Sequence, residues 1–362
     1  MPGLYIHTPF CLKKCPYCDF FSVPYDERMA FAYAEAVIRN IEHYNDRYDT
    51  VYFGGGTPSM DWWNICRVLG KILSSRNAEI TVESNPNTLN KESLSVMKNS
   101  GINRLSIGVQ SFSNSELRAL SRGHTSEDAS NAIRLALESG FENVSVDLML
   151  GIPTQTPESV RRSVKILSAF GITHVSAYML KREPGTPFAK SELRFPDENL
   201  TAQIYFAAAE ALEENGFLQY EISNFARKGF VSRHNLKYWK SEEYLGIGVS
   251  AHSFYDNRRF FVGNNIREFI ISPAQEVFLT EEGPPDFTDY AMMKLRLVEG
   301  LTFAECEKFG IKKDAMMKRC KLVPPDYLRI TDRGVVITRE GFLVSNQIIG
   351  KLTTNPEEQV VK

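Results

Sequence analysis

The chain has 362 residues, 43% of them hydrophobic, enough for one large domain with a substantial core plus a smaller appendage. Its 42 basic and 44 acidic residues leave a net charge of −2, which excludes any general attraction to nucleic acid or to an anionic membrane. No apolar run approaches the roughly 18 residues of a membrane span, and Met1–Phe10 lacks the features of a signal peptide. A cytoplasmic protein with no transmembrane segment and no nucleic-acid partner is expected.

In the first half, short β-rich runs alternate with longer helical patterns. Strands are expected near Leu4–His7, Thr50–Phe53, Ala78–Glu83, Arg104–Val109, Asn143–Leu150 and His174–Leu180. Helical patterns cover Asp26–Tyr48, Asp61–Ser75, Lys91–Ser100, Ser126–Ser139 and Pro157–Phe170. Such alternation implies parallel strands joined by right-handed crossovers. Six units fall short of the eight in a full TIM barrel, so the expected fold is α/β, a partial (β/α)6 TIM-like barrel, with a doubly wound open sheet as its competitor.

Pro184, Pro187 and Pro196 mark a change of organisation. From about Pro285 the pattern becomes helices followed by short strands at Leu328–Ile330 and Gly334–Thr338, a small winged-helix-like α+β domain without a basic recognition helix. The expected division is a core at 1–235, a connecting segment at 236–284, a C-terminal domain at 285–350 and a polar tail at 351–362.

Three of the six cysteines, Cys11, Cys15 and Cys18, fall within eight residues, while Cys66, Cys306 and Cys320 are scattered. Clustering of this kind favours metal or redox chemistry over disulfides. Thiolates suit iron–sulfur clusters, and three cysteines on a 4Fe–4S cluster leave one iron with an open position. That iron can chelate the amino and carboxylate groups of S-adenosylmethionine (SAM). A zinc site is the alternative; it would need a fourth ligand, for which His7 is the only nearby candidate.

The phrase Tyr5-Ile-His-Thr-Pro-Phe-Cys11 leading into Cys15-Pro-Tyr-Cys18-Asp-Phe20 resembles the radical SAM family that contains oxygen-independent coproporphyrinogen III oxidases and heme chaperones. The likeness continues through Phe53-Gly-Gly-Gly-Thr-Pro58, Gly108-Val-Gln-Ser111, Asp147-Leu-Met-Leu-Gly-Ile-Pro153 and Gly246-Ile-Gly-Val-Ser-Ala-His252. It implies a 4Fe–4S cluster on Cys11, Cys15 and Cys18. It also implies SAM held by Gly55, Gly56, Thr57, Glu83, Gln110, Arg122 and Asp147, with Tyr5 and Tyr17 flanking the cluster. For each of these residues a structural role is the alternative.

Two features bear on the branch. Oxidases of this family resemble Cys-x-x-x-Cys-x-x-Cys-x-Cys, whereas residue 20 here is Phe, and the cysteine loop begins at residue 11, leaving no room for the oxidases' N-terminal extension. His234-Asn-Leu-Lys-Tyr-Trp239 is similar to an HNxxYW motif of the heme chaperones, which makes His234 the expected axial ligand of heme iron. His124 and His252 are the other candidates. The expected partners are heme, a heme-acceptor protein and an electron donor for the cluster. The competing expectation is oxidative decarboxylation of coproporphyrinogen III.

Overall fold

The computed structural model describes residues 1–354. Its core alternates β1 (Gly3–Thr8), α1 (Glu27–Tyr44), β2 (Arg47–Gly55), α2 (Trp62–Leu69), β3 (Leu73–Ser84), α3 (Lys91–Asn99), β4 (Arg104–Gln110), α4 (Ser126–Glu138), β5 (Asn143–Leu150), α5 (Pro157–Ser168) and β6 (His174–Met179). The six strands pair in parallel and in sequence order. They belong to a sheet of twelve strands with two free edges, an open barrel of the expected α/β class.

Two expected helices are too long, and one ladder explains both. Arg47 and Tyr48 pair with Leu73 and Ser74, so the ends assigned to α1 and α2 are strand. Asn45, at φ 47°, stops α1 in the left-handed conformation, its N–H bonded to the Ile41 carbonyl. The starts of α4 and α5 follow local chemistry: Thr125 with Asp128, and Thr156 with Ser159, form capping boxes.

A second correction concerns residues 236–284, expected to be a connecting segment. They supply four strands of the main sheet: β7 (Tyr244–Ile247), β8 (His252–Tyr255), β9 (Arg258–Val262) and β10 (Val277–Glu282). β7 lies parallel to β1 on the side away from β2, and the other three follow antiparallel. Leu245, Ile247 and Val249 are fully buried there, and a Cβ at Gly246 would meet the His252 carbonyl oxygen at 2.2 Å.

Farther along, the strands Leu301–Thr302, Gly334–Ile337 and Leu328–Ile330 form a small antiparallel sheet among short helices. Residues such as Leu295, Met316, Val335 and Ile348 give it a hydrophobic core of its own. The expected polar tail begins as helix: Ser345–Thr353 is α-helical and Leu352 is buried in that second core. The rest of the tail, 355–362, lies outside the described residues.

Side chains alternate along each barrel strand. Ile6, Phe53, Val82, Ile107, Val146 and Val175 point to the helices and share one core with Val37, Ile133 and Val164. The intervening residues include Tyr52, Glu83, Arg104, Ser106, Asp147 and Ser176, so the face turned away from the helices is polar.

At the N-terminal end of the barrel this polar interior is closed by the helix Arg233–Trp239. His234 is 0% exposed, with Nδ1 at 2.8 Å from the Thr50 hydroxyl and Nε2 at 2.7 Å from the Tyr238 hydroxyl. Its ring stacks on Tyr52, and its N–H donates to Glu79. Burial, with smaller contributions from Lys237 and Arg104, pushes its pKa down to about 3, so the imidazole is neutral. Both nitrogens are engaged and none of the ring reaches solvent, so the imidazole ties the closing helix to β2. His234→Ala would leave two buried hydroxyls and a cavity, and should lower unfolding free energy by roughly 2–5 kcal/mol in urea denaturation. Unchanged stability would contradict this placement.

Candidate functional site

The other end of the barrel, where the parallel strands finish, is where α/β folds place their chemistry. β1 ends at Thr8, and the chain then forms a short parallel pair, Phe10–Cys11 with Val23–Pro24. The loop between is held by the Tyr25 N–H on the Cys11 carbonyl at 3.0 Å and by Lys14 Nζ on the Phe20 carbonyl at 2.8 Å. Cys11, Cys15 and Cys18 are all half-buried free thiols on this loop.

The glycine segment that ends β2 packs against the base of this loop. The Gly56 N–H donates to the Thr8 carbonyl at 2.7 Å and the Thr57 N–H to the Phe10 carbonyl at 2.8 Å. A Cβ at Gly56 would meet the Phe10 carbonyl oxygen at 2.6 Å, and one at Gly55, where φ is +108°, would meet the His7 ring at the same distance. No other residue type allows so close an approach.

A polar chain continues from the cysteines into the barrel. The Thr57 hydroxyl accepts from Asn85 Nδ2 at 2.9 Å and lies 3.6 Å from Cys11 Sγ, which leaves its own proton for the sulfur. Arg122 donates to Cys15 Sγ and to the Tyr17 hydroxyl, each at 3.4 Å, to the Gly108 carbonyl at 2.8 Å, and to Asn85. Its Nε is buried without a partner. Tyr17 packs edge-on against Phe188, and Tyr5 bonds through its hydroxyl to His7 Nδ1 at 3.1 Å. Gln110 ends β4 at φ 68°, where the register to β5 shifts. A non-glycine residue held there stores strain of the kind that collects at functional sites.

Deeper in, Glu83 accepts from the Tyr52 hydroxyl at 2.8 Å and from the Gly55 N–H at 3.2 Å. Burial, reinforced by the charge of Asp147, pushes its pKa up to about 7. Asp147 accepts from the Ser106 hydroxyl at 3.1 Å, and burial raises its pKa too. Two carboxylates whose pKa values burial raises favour a cationic ligand.

Every expected cluster and SAM residue thus gathers on this polar face and at its mouth. Only His234 lies elsewhere, at the level of Gly3, five residues of strand or roughly 16 Å below the end of β1. Two further residues went unrecognised. Asn85 joins Arg122 to Thr57, and the Asn-Pro pair after a strand could have revealed it. Tyr52 holds Glu83, and its position two residues before Gly54 places it on the same face. Among the described residues no three His, Cys, Asp or Glu side chains close round a single ion.

The raised pKa of Glu83 has a measurable consequence. From the ordinary glutamate value of 4.5 up to about 7, the folded state holds a proton that the unfolded chain has released, so stability falls as pH rises through that window. Glu83→Gln should flatten the fall in the ligand-free protein, an effect of a few kcal/mol across the window. Parallel urea midpoints for both proteins would be contradictory.

Comparison with known proteins agrees with this geometry. The family model for the radical SAM superfamily matches residues 5–167. The chain is 32% identical over 375 residues to the heme chaperone HemW of Bacillus subtilis, spanning 97% of this chain and 98% of that one. To the Escherichia coli heme chaperone HemW it is 34% identical over 372 residues, spanning 96% and 97%. Its fold superposes on E. coli coproporphyrinogen III oxidase HemN with a TM-score of 0.81, covering 98% of this chain and 90% of that one at 21% identity, a likeness of fold alone. Among the described residues no helix is long and apolar enough to cross a membrane. By its end-to-end identity with these relatives, the chain belongs to the HemW family of the radical SAM superfamily.

Proposed function

We propose that this protein is a cytoplasmic heme carrier: it binds heme, passes it to an acceptor protein, and holds a 4Fe–4S cluster and SAM at the barrel mouth. The observation that carries the reading is similarity over nearly the whole chain to proteins named as heme chaperones. Phe20, 61% exposed, stands where the oxidase pattern has a further cysteine, which favours the same branch.

The residues at the mouth fit the cofactors. Cys11, Cys15 and Cys18 are free, half-buried and on one loop, and Arg122 offers a buried, unpartnered N–H beside Cys15. When bound there, the cluster supplies an open iron site for the SAM amino and carboxylate groups and an electron for its sulfonium. Gly55 and Gly56 let backbone lie close to the ligand, and Glu83 and Asp147 offer acceptors to ribose hydroxyls or a cation. Thr57, Asn85 and Arg122 hold the loop in register with β3 and β4. An electron-donor protein would reduce the cluster.

Asp147→Ala should weaken SAM binding to the reconstituted protein by roughly one to two decades, the cost of about 1.5–3 kcal/mol for a lost charge-assisted hydrogen bond. Unaltered SAM affinity in calorimetric titration would reduce Asp147 to a structural carboxylate.

The function itself is tested by presenting both candidate ligands to anaerobically purified, cluster-loaded protein with SAM and a reductant. The heme-carrier reading expects equimolar heme uptake and no conversion of coproporphyrinogen III. Multiple turnovers of the porphyrinogen without stable heme binding would install the oxidase reading instead.

A further inference from the structure

A groove of about 640 Å³ opens where the start of α1 meets the turn before α2, away from the polar interior of the barrel. Its lining reaches the cysteine loop through Tyr25, whose N–H is bonded to the Cys11 carbonyl at 3.0 Å. Two of the chain's three tryptophans line it. Trp62 and Trp63 open α2 with their rings perpendicular and 6.2 Å apart. Trp62 is half-buried against the main core, whereas Trp63 is 59% exposed and Phe31 of α1 50% exposed. The core face of α2 is made by Ile65, Val68 and Leu69, so the exposed Trp63 ring is not needed for packing.

The groove also holds a carboxylate nearly out of solvent. Asp61 is 6% exposed and occupies the N-cap position of α2, yet it caps no backbone N–H, the usual task of an Asp there. It accepts instead from Asn64 Nδ2, at 2.9 and 3.1 Å, and from the Tyr25 hydroxyl at 3.4 Å. Arg67 reaches it only through Asn64, to whose Oδ1 it donates at 2.9 Å. The Arg67 guanidinium is committed to Glu35 and to the Phe31 ring, 4.4 Å beneath it. Burial pushes the Asp61 carboxyl up to about 6, as befits an acid with no cation against it. Glu27 adds negative charge to the lining, where Arg28 is the only basic side chain among the described residues.

Arg67 shows how this surface treats a guanidinium: one aromatic face and one carboxylate receive it together. Asp61 with Trp62 and Trp63 repeats that pairing without the cation. An arginine side chain completes it, because its plane stacks on an indole while its N–H fork meets a carboxylate. A free cation would cover one ring and leave most of the groove to water. A polypeptide carrying the arginine covers Trp63 and Phe31 as well, and aromatic side chains of this kind anchor protein interfaces.

We propose that this groove is a docking site for an arginine side chain presented by a partner polypeptide, with Asp61 as its counter-charge and Trp62 and Trp63 as its stacking faces. The inference is independent of the heme-carrier reading. The site has a route to the cluster loop. A guanidinium on Asp61 competes with the Tyr25 hydroxyl, and Tyr25 holds the Cys11 strand through its N–H and packs edge-on against Phe10.

The test is calorimetric titration of the full-length, cluster-loaded protein with a blocked Ala-Ala-Arg-Ala-Ala peptide. Its citrulline counterpart, of the same shape without the charge, and blocked arginine alone serve as comparisons. The arginine peptide should bind saturably and shift the indole emission. The citrulline peptide should bind at least tenfold more weakly, and blocked arginine severalfold more weakly. Asp61→Asn should cost at least tenfold in affinity, and Trp63→Ala, which removes an exposed ring, severalfold, both with unchanged iron content and circular dichroism. Absence of saturable binding, equal affinity for the citrulline peptide, or undiminished affinity in Asp61→Asn would overturn the arginine site. Blocked arginine binding as tightly as the peptide would overturn the polypeptide as its source. Heme uptake is measured separately, so failure here leaves the carrier reading standing.

Discussion

The period-two division of the barrel strands is the constraint on which the rest of the structure depends. Outward residues such as Phe53, Val82 and Val146 bury themselves under the helices, which frees the opposite face to carry charge. Glu83, Asp147 and Arg104 would be costly to bury alone. They are tolerated because hydroxyls of Tyr52 and Ser106 and the Gly55 amide satisfy the carboxylates, and because Arg104 attracts both. Burial still outweighs these partners, so both acids hold protons more tightly than usual. A site in that condition prefers a cationic ligand, and SAM carries a sulfonium and an ammonium.

The two ends of this polar face serve opposite purposes. At the N-terminal end, His234, Thr50 and Tyr238 form a closed network with no ring nitrogen to spare. At the C-terminal end, the partners are incomplete: Arg122 keeps a buried, unpartnered N–H, and three thiols stand free. Satisfied networks rigidify, and unsatisfied buried groups await a ligand.

The barrel was legible in the sequence because its outward residues form apolar runs bounded by glycine, proline and polar turns. β5 matches its expected limits, and β4 and β6 differ by one residue at one end. Arg47-Tyr48 and Leu73–Ser75 were misread as helix because these extensions pair only with each other and carry no apolar alternation. The strands in 236–284 were missed because β7 gains its place from β1, at the far end of the chain, a contact no local pattern records. Motifs after strands gave the mouth residues. The motif around His234 does not reveal that its surroundings engage both ring nitrogens. Asn85 and Tyr52 act by holding other residues: the sequence marks their places, and the structure supplies their partners.

On the proposed heme-carrier reading, holding the cluster and capturing heme are separate tasks of the chain. The most direct test removes one and watches the other. A protein with Cys11, Cys15 and Cys18 all changed to Ala, titrated with heme beside wild type, should show no iron–sulfur absorbance and yet take up equimolar heme with an unchanged Soret band. Loss of heme uptake together with the cluster would contradict the separation and place the heme at the barrel mouth.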